Sequence, residues 1–176
     1  ERLEKEELFR GWLNSAGIEF QVHCLAKEEY DHGNTRHQGI LKSDAPAVVC
    51  MTQDAVFADE KVIEMLVGAL FSNTAKAGGG AEIAAAYARQ LPAADCGFLE
   101  RYTRSFNYPE TSRIKTGEDI KTLGIKTYFC SNVCAAYRRD VFDRLGGFTS
   151  PTIFNEDMIF AAGAVKAGFK IAYAAD

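Results

Sequence analysis

The sequence lacks a long apolar segment and an excess of positive charge. None of its apolar runs approaches the roughly 18 residues of a membrane-spanning helix, and no signal peptide is recognisable. The 20 lysines and arginines are outnumbered by 24 aspartates and glutamates, which gives a formal net charge of −4. The chain therefore has no general attraction for nucleic acid, and a phosphate-bearing partner needs local arginine, backbone or metal contacts.

Paired cysteine motifs are also missing. The five cysteines are odd in number, and no two of them form a C-x-x-C pair. Cys50, Cys130 and Cys134 lie in apolar runs, which favours reduced core thiols in a cytoplasmic protein. Cys130 and Cys134 are spaced to face the same side of a strand, which is a weak metal signal without a nearby histidine.

The composition that remains is that of an ordinary globular domain. The chain has 176 residues, of which 47% are hydrophobic and 25% charged. These values exclude disordered and collagen-like classes and allow a sizeable core in a single domain over residues 1–176. The chain begins within a helical pattern and ends just after a strand pattern, so we interpret it as a piece of a longer protein.

Hydrophobic periodicity predicts alternating helices and strands. Helices are predicted over 1–14, 62–71, 98–106, 139–145 and 155–167, and strands over 18–25, 47–51, 81–87, 127–137 and 170–174. The segment 30–39 reads as a loop. The polar segment 110–126 also reads as a mobile loop, with a short helix from Glu118, and long loops of this kind often serve as lids.

The segment 47–55 is the centre of the functional prediction. Its apolar run, 47–51, has no polar alternation and predicts a strand buried on both faces of a parallel or mixed sheet. Gln53 and Asp54 come soon after this strand, and ligands of open α/β sheets bind outside the carboxyl ends of strands. Asp54 could hold a divalent cation together with substrate phosphate oxygens. The alternative is that it only caps a loop.

The predicted loop 30–39 is dense in polar residue types that bind ligands. His32, Thr35 and Arg36 supply donors that suit a phosphate or a base, and Gly33 allows close backbone approach. An equally weighted alternative is that the histidines of this loop are simply solvated.

Two further sites carry charged candidates. Arg89 follows another predicted strand and is a possible ligand-binding residue. Glu156 and Asp157 open a helix, where the helix dipole alone is a sufficient explanation for acidic residues. A functional explanation makes one of them a general base. The triple glycine at 78–80 lacks the lysine of a phosphate-binding P-loop and precedes a strand, which argues against that function.

Seven short motifs, taken in order, resemble those of the inverting nucleotide-sugar glycosyltransferases of family 2, most closely their bacterial rhamnosyltransferase-like branch. Each motif is weak alone, and the ordered set is specific. They are His32–Arg36, Thr52–Ala55, Tyr87–Pro92, Phe106–Glu110, Ser131–Val133, Gly146–Phe148 and Glu156–Met158. The resemblance implies a GT-A fold, a three-layer α/β/α sandwich with a mostly parallel mixed sheet. Nothing matches the family's first strand, helix and strand or its C-terminal continuation, so the isolated segment need not be active.

The resemblance also implies roles for the acidic residues. Asp54 would hold Mg²⁺ or Mn²⁺ on the diphosphate of the donor, with Gln53 beside it. Asp157, next to Glu156, would be the base that deprotonates the acceptor hydroxyl. An inverting displacement needs such a base on the face opposite the leaving diphosphate.

A donor-binding role is implied for His32, Thr35 and Arg36, and more weakly for Arg89. The family commonly has asparagine where this chain has His37. By resemblance, the expected reaction transfers a sugar, rhamnose from dTDP-rhamnose, to a glycan or lipid-linked glycan acceptor in cell-surface polysaccharide synthesis. The expected location is the cytoplasm, at the inner face of the membrane.

Two alternatives belong to other functional classes. A nucleotidyltransferase also places carboxylates and Mg²⁺ at strand ends. A non-catalytic sugar- or protein-binding module could be built on the same fold. Retention of both Asp54 and Asp157 argues against the binding module, which needs no base.

Overall fold

The computed structural model describes residues 2–72 and 82–175. The chain divides into two compact units, residues 1–30 and 31–176. The triple glycine at 78–80 lies outside the described residues. Within the part that is described, no helix combines the length and the apolar content needed to cross a membrane.

The first unit is helical. Its helix α1 spans Arg2–Ser15, as predicted, and a single 3-10 turn spans Lys27–Glu29. The strand predicted over 18–25 is wrong, since this stretch forms no ladder. Its apolar residues Ile18, Val22 and Leu25 stay about half exposed. The alternating pattern does not produce a strand here, because no described strand pairs with the backbone N–H and C=O groups of this stretch.

The second unit is built on a mixed sheet, which has five strands in the described part of the chain. The strands are β1 Ala47–Met51, β2 Ile83–Ala88, β3 Arg113–Lys115, β4 Cys134–Arg138 and β5 Lys170–Ala174. Their order in the sheet is β1-β4-β2-β5-β3. Strands β2 and β5 are parallel neighbours, and the other three pairs are antiparallel. The carboxyl ends of β1, β2 and β5 therefore lie along the same edge of the sheet, where β4 begins.

The helices of this unit are α2 His32–Ile40, α3 Val62–Phe71, α4 Phe98–Asn107, α5 Ile120–Leu123, α6 Arg139–Arg144 and α7 Glu156–Lys166. Four of them, α3, α4, α6 and α7, confirm predicted helices. Helix α4 forms as its spacing predicts, although Phe98, Tyr102 and Phe106 on it remain exposed.

The two faces of the sheet are packed differently. Successive side chains of a strand point to opposite faces, and in β4 these are the large Tyr137 and the small Ala136. The alanine-rich face packs against Leu66 and Leu70 of α3. The aromatic face packs against α6 and α7, where the rings of Tyr137, Phe142, Phe148 and Phe160 meet at centroid distances of 5.0 to 6.0 Å. The predicted sandwich of helices on both sides of a mixed sheet is confirmed.

Strand β1 has the predicted bounds, but it is less buried than predicted. It lies at one edge of the described sheet, and only Cys50 among its five residues is buried. Its lack of polar alternation therefore does not report burial on both faces.

The predicted loop 30–39 is instead helix α2. The Asp31 carboxylate caps the helix by accepting a hydrogen bond from the backbone N–H of Asn34 at 2.5 Å. Its second oxygen accepts from the backbone N–H of Thr152 at 2.5 Å, which ties the start of the helix to a distant loop. Few residues of α2 are apolar, and of its nine residues only Gly33 and Ile40 are buried. Its sequence therefore carries no helical periodicity. Gly33 packs so closely that a Cβ atom there would lie 2.0 Å from the carbonyl oxygen of Thr149.

The segment 110–126 is more ordered than a loop. Its residues 113–115 form β3, which pairs with β5, and the predicted helix near Glu118 appears as a 3-10 turn followed by α5. Lys115 is buried and donates from Nζ to Tyr87 Oη at 3.1 Å and to the carbonyl oxygens of Lys126 and Phe129. The predicted short helix is therefore present, and the prediction of a loop is wrong at residues 113–115, which belong to the sheet.

The strand predicted over 127–137 begins only at Cys134. Cys130 packs in the aromatic cluster, whereas Cys134 packs in the cluster against α3, so the two thiols do not share a face. Cys50, Cys130 and Cys134 are buried free thiols, as the apolar runs around them predict.

Candidate active site

The carboxyl ends of β1, β2 and β5 meet at one edge of the sheet. The backbone N–H of Thr52 donates to the carbonyl oxygen of Val133 at 3.2 Å, and that of Arg89 donates to Ala174 at 2.9 Å. The first bond joins the end of β1 to the turn that precedes β4, and the second joins the end of β2 to the end of β5. A cavity of about 1080 Å³ opens at this edge.

Asp54 lines this cavity with an exposed carboxylate. Thr52 lines it too, and its Oγ is buried with no hydrogen-bond partner among the described residues. No group of three His, Cys, Asp or Glu side chains gathers within residues 2–72 and 82–175 to form a self-contained metal site. One carboxylate and a nearby orphaned hydroxyl fit a hard cation that takes its remaining ligands from substrate phosphates and water. Gln53 is exposed and does not line the cavity.

The acidic pair at the start of α7 consists of two carboxylates in different environments. The Glu156 side chain is buried, accepts from the guanidinium of Arg36 at 2.8 Å, and accepts from Nδ2 of Asn132 at 2.9 Å. The half-buried Asp157 accepts from the backbone N–H groups of Asn132 and Met158, at 2.8 and 2.7 Å. Glu156 is therefore locked by side chains, while Asp157 is held by backbone amides.

The pKa of Asp157 is raised above its ordinary value. Burial is the largest cause, and the neighbouring charge of Glu156 adds to it, while the two backbone hydrogen bonds and the charge of Arg36 oppose it. A carboxylate with a raised pKa accepts a proton more readily than a solvated one, which is the property that a general base requires.

Helix α2 places two of its predicted site residues near this acidic pair. The Arg36 guanidinium lies 3.0 Å from Nδ1 of His32 as well as against Glu156. Thr35 accepts from the backbone N–H of Asp31 at 3.4 Å, within the first turn of the helix.

Arg89 belongs to the cavity and not to the acidic pair. It lines the cavity with Asp54 and donates to the exposed carboxylate of Glu110 at 3.2 Å. The turn 131–133 connects the two regions, since Val133 bonds to Thr52 and Asn132 bonds to Asp157. The two predicted carboxylates, Asp54 and Asp157, thus reach the same edge from β1 and α7.

The predicted set omitted several polar residues at this edge. Gln90 donates from Nε2 to Ser131 Oγ at 2.9 Å and to the hydroxyl of Tyr108, and it lines the cavity. Asn132, described above, was omitted as well. The four residues Gln90, Tyr108, Ser131 and Asn132 lie in the motifs that carry the family resemblance. Neutral side chains of these types have so many structural uses that nothing in the sequence singled them out.

Comparison with known proteins gives two similar curated relatives. The O-antigen chain rhamnosyltransferase WbaN of Salmonella anatum is 42% identical over 156 residues, which cover 88% of this chain and 47% of that protein. The O-antigen chain rhamnosyltransferase RfbN of Salmonella typhimurium is 44% identical with the same coverage. The chain therefore spans about half the length of the curated relatives it matches.

The family resemblance inferred from the motifs is confirmed. No solved structure matches the chain. The model of the family described as Glycosyl transferase family 2 matches residues 9–146. This chain therefore belongs to glycosyltransferase family 2, and its open mixed sheet with helices on both faces is a GT-A fold.

Proposed function

We propose that the protein containing this chain transfers a sugar from a nucleotide-diphosphate donor to a glycan acceptor, with Asp157 as the general base. The observation that carries this proposal is the environment of Asp157. Its carboxylate is half-buried, is held by two backbone amides and has a raised pKa. It is joined through the turn 131–133 to the strand ends where Asp54 lines the cavity.

The proposed reaction is an inverting single displacement. Asp157 takes the proton from the acceptor hydroxyl while the oxygen of that hydroxyl forms its bond to the anomeric carbon of the donor sugar. The bond from that carbon to the diphosphate breaks on the opposite face, and the electron pair leaves with the diphosphate. Asp54 would hold Mg²⁺ or Mn²⁺ together with phosphate oxygens, and a cation there supplies positive charge to the leaving group.

The chain offers several residues to bind the donor. Arg89 lines the same cavity as Asp54, and its guanidinium suits the diphosphate. Gln53, which precedes Asp54 in the sequence, is proposed as a second donor-binding residue. For His32 and Thr35 the proposed donor contact rests on the family resemblance. The resemblance assigns Arg36 to the donor as well, but its guanidinium donates to Glu156 and lies 3.0 Å from Nδ1 of His32, so we assign it to the acidic pair and not to the donor.

The proposed donor is dTDP-rhamnose. Both curated relatives are O-antigen chain rhamnosyltransferases, and 42% to 44% identity over most of this chain supports the same donor sugar. By the same argument, the proposed acceptor is a glycan or lipid-linked glycan of surface polysaccharide synthesis, used at the cytoplasmic face of the membrane.

The test uses the longest native chain that contains this sequence. Binding of thymidine-, uridine- and guanosine-diphosphate sugars is measured by calorimetry with Mn²⁺ and with chelator, for the wild type and for Asp54→Ala. We expect one donor to bind only with metal and to lose that binding in Asp54→Ala. Asp143→Ala, which removes a carboxylate exposed on α6, is the matched control and should bind like the wild type.

The outcomes separate the proposed function from its alternatives. Donor binding without transfer to any acceptor would indicate a non-catalytic binding module. Release of pyrophosphate from a nucleoside triphosphate and a sugar phosphate would indicate a nucleotidyltransferase. Absence of donor binding under every condition would reject the proposal.

A further inference from the structure

A buried chain of polar side chains connects α2 to α7 through the turn before β4. Arg36 donates to Glu156 Oε1 at 2.8 Å, and Asn132 Nδ2 donates to the same oxygen at 2.9 Å. Tyr137 then donates from its hydroxyl to Oδ1 of Asn132 at 2.7 Å. Glu156 and Asn132 are each 3% exposed and Tyr137 is fully buried. If one of these hydrogen bonds is lost, water cannot reach the buried group to replace its partner.

These contacts fix the orientation of the Asn132 amide. Its Nδ2 faces a carboxylate and its Oδ1 faces a hydroxyl that donates to it, so a flipped amide would place oxygen against oxygen at Glu156. Because the Asn132 side chain is held on both sides, the position of the Asn132 backbone is restricted as well. That backbone N–H lies 2.8 Å from Oδ2 of Asp157, so the buried chain ends at the proposed base.

We propose that Arg36, Asn132 and Glu156 are positioning residues for Asp157, and that the charge of Arg36 balances that of Glu156 beside the base. This inference rests on the proposed function, because it assigns these residues through the role of Asp157. It gives Arg36 a task that does not require contact with the donor.

The charges around Asp157 support this assignment. Within residues 2–72 and 82–175, four other titratable groups are influenced by the charge of Asp157, and burial raises the pKa of each of them, so they remain uncharged near neutral pH. They are Cys50 on β1 and Cys130, both with a pKa of about 12, and Tyr108 and Tyr137. His32 borders the guanidinium of Arg36. Of the charged neighbours, Glu156 raises the pKa of Asp157 and Arg36 lowers it, so removing either one alone unbalances the site.

The test is a two-residue cycle in the longest native chain. Arg36→Met, Glu156→Gln and the double variant are assayed for transfer as a function of pH, and the KM for the donor is measured for each. The base must be deprotonated to act, so kcat falls at low pH. The position of this fall, the acid limb of the profile of kcat against pH, reports the pKa of Asp157 in the substrate complex. We expect Arg36→Met to move this limb to higher pH by about one unit and Glu156→Gln to move it to lower pH.

The double variant carries the decisive result. With both charges removed, we expect the acid limb to return close to its wild-type position and the donor KM to stay within about twofold of the wild-type value throughout. Arg144→Met is the matched control, since Arg144 pairs with Glu82 at 2.7 Å at the opposite edge of the sheet. It should leave the acid limb unchanged.

Several outcomes would overturn the inference. A rise in donor KM for Arg36→Met that Glu156→Gln does not repair would show that Arg36 binds the donor. Acid limbs that do not move in folded variants would show that the pair does not act on the base. If Arg36→Met fails to fold, Arg36→Lys keeps the charge and should lower kcat without moving the acid limb, and a moved limb would contradict the charge balance.

The same assay separates this inference from the proposed function. No transfer by the wild type, or full transfer by Asp157→Asn, rejects Asp157 as the base, and the positioning roles fall with it. Unmoved acid limbs in an enzyme that does depend on Asp157 reject the positioning roles alone.

Discussion

The backbone N–H of Asn132 lies 2.8 Å from Oδ2 of Asp157, although the two residues belong to different elements of the fold. Asp157→Asn keeps one oxygen that can accept this bond, gives up the bond from the backbone N–H of Met158, and removes the proton-accepting carboxylate. We expect the variant to fold, to bind donor like the wild type, and to lose transfer by a factor of about 10² to 10⁴. Steady-state transfer assays beside donor calorimetry check this, and a transfer rate near that of the wild type would exclude Asp157 as the base.

Gly33 is required by the packing of α2 against the loop after α6. A Cβ atom at this position would lie 2.0 Å from the carbonyl oxygen of Thr149, which is backbone and cannot rotate away. We expect Gly33→Ala to lower the free energy of unfolding by about 1 to 3 kcal/mol and to displace α2. Urea unfolding followed by circular dichroism measures the change.

A second glycine of α2 provides the control for that substitution. A Cβ atom at Gly39 would meet nothing within 4 Å, and alanine is preferred to glycine in a helix by up to about 1 kcal/mol. Gly39→Ala is therefore expected to leave the stability unchanged or to increase it. Equal destabilisation by both variants would contradict the close contact at Gly33.

Leu66 is fully buried between α3 and the alanine-rich face of the sheet. Leu66→Ala removes apolar contacts and leaves a cavity, so we expect it to lower the free energy of unfolding by about 2 to 5 kcal/mol. Ile63→Ala on the same helix is the control, because Ile63 is 40% exposed and its loss should have a much smaller effect. Similar losses in denaturant unfolding would mean that α3 does not pack as described.

The elements that sequence predicted well are those with uninterrupted local patterns. Strand β5 and strand β1 have the predicted bounds, and α4 differs from its prediction by one residue. Helix α2 was missed because its stability comes from the Asp31 cap and from contacts with residues 149–152, which periodicity does not record. Strand β3 was missed because three residues of mixed polarity form a strand only when β5 is beside them.

The candidate site was predictable where a residue type and a strand end coincide. Asp54 lies three residues after the end of β1, Arg89 directly follows β2, and both line one cavity. The pairing of Arg36 with Glu156 joins residues 120 positions apart, and no local pattern encodes such a contact. Asn132 was missed for the same reason, since its importance comes from the carboxylates that the fold brings to it.

Lys115 gives the fold a pH dependence that can be measured. Its ammonium is buried, and burial lowers its pKa to about 8, whereas an unfolded lysine titrates near pH 10.4, about its ordinary value. Between these values the unfolded chain binds more protons than the folded one, so stability from this residue rises as pH increases from about 8 to 10.

We therefore expect the wild type to gain stability relative to Lys115→Met between pH 7.5 and pH 10. A full shift of this size corresponds to about 3 kcal/mol, although ionisation of other groups changes both proteins alike and cancels in the comparison. The measurement is urea unfolding of both proteins at several pH values in this window, with the exposed Lys121→Met as a control that should follow the wild type. A stability difference between the wild type and Lys115→Met that stays constant with pH would mean that Lys115 titrates normally. A wild type that loses stability relative to Lys115→Met as pH rises would contradict the buried ammonium.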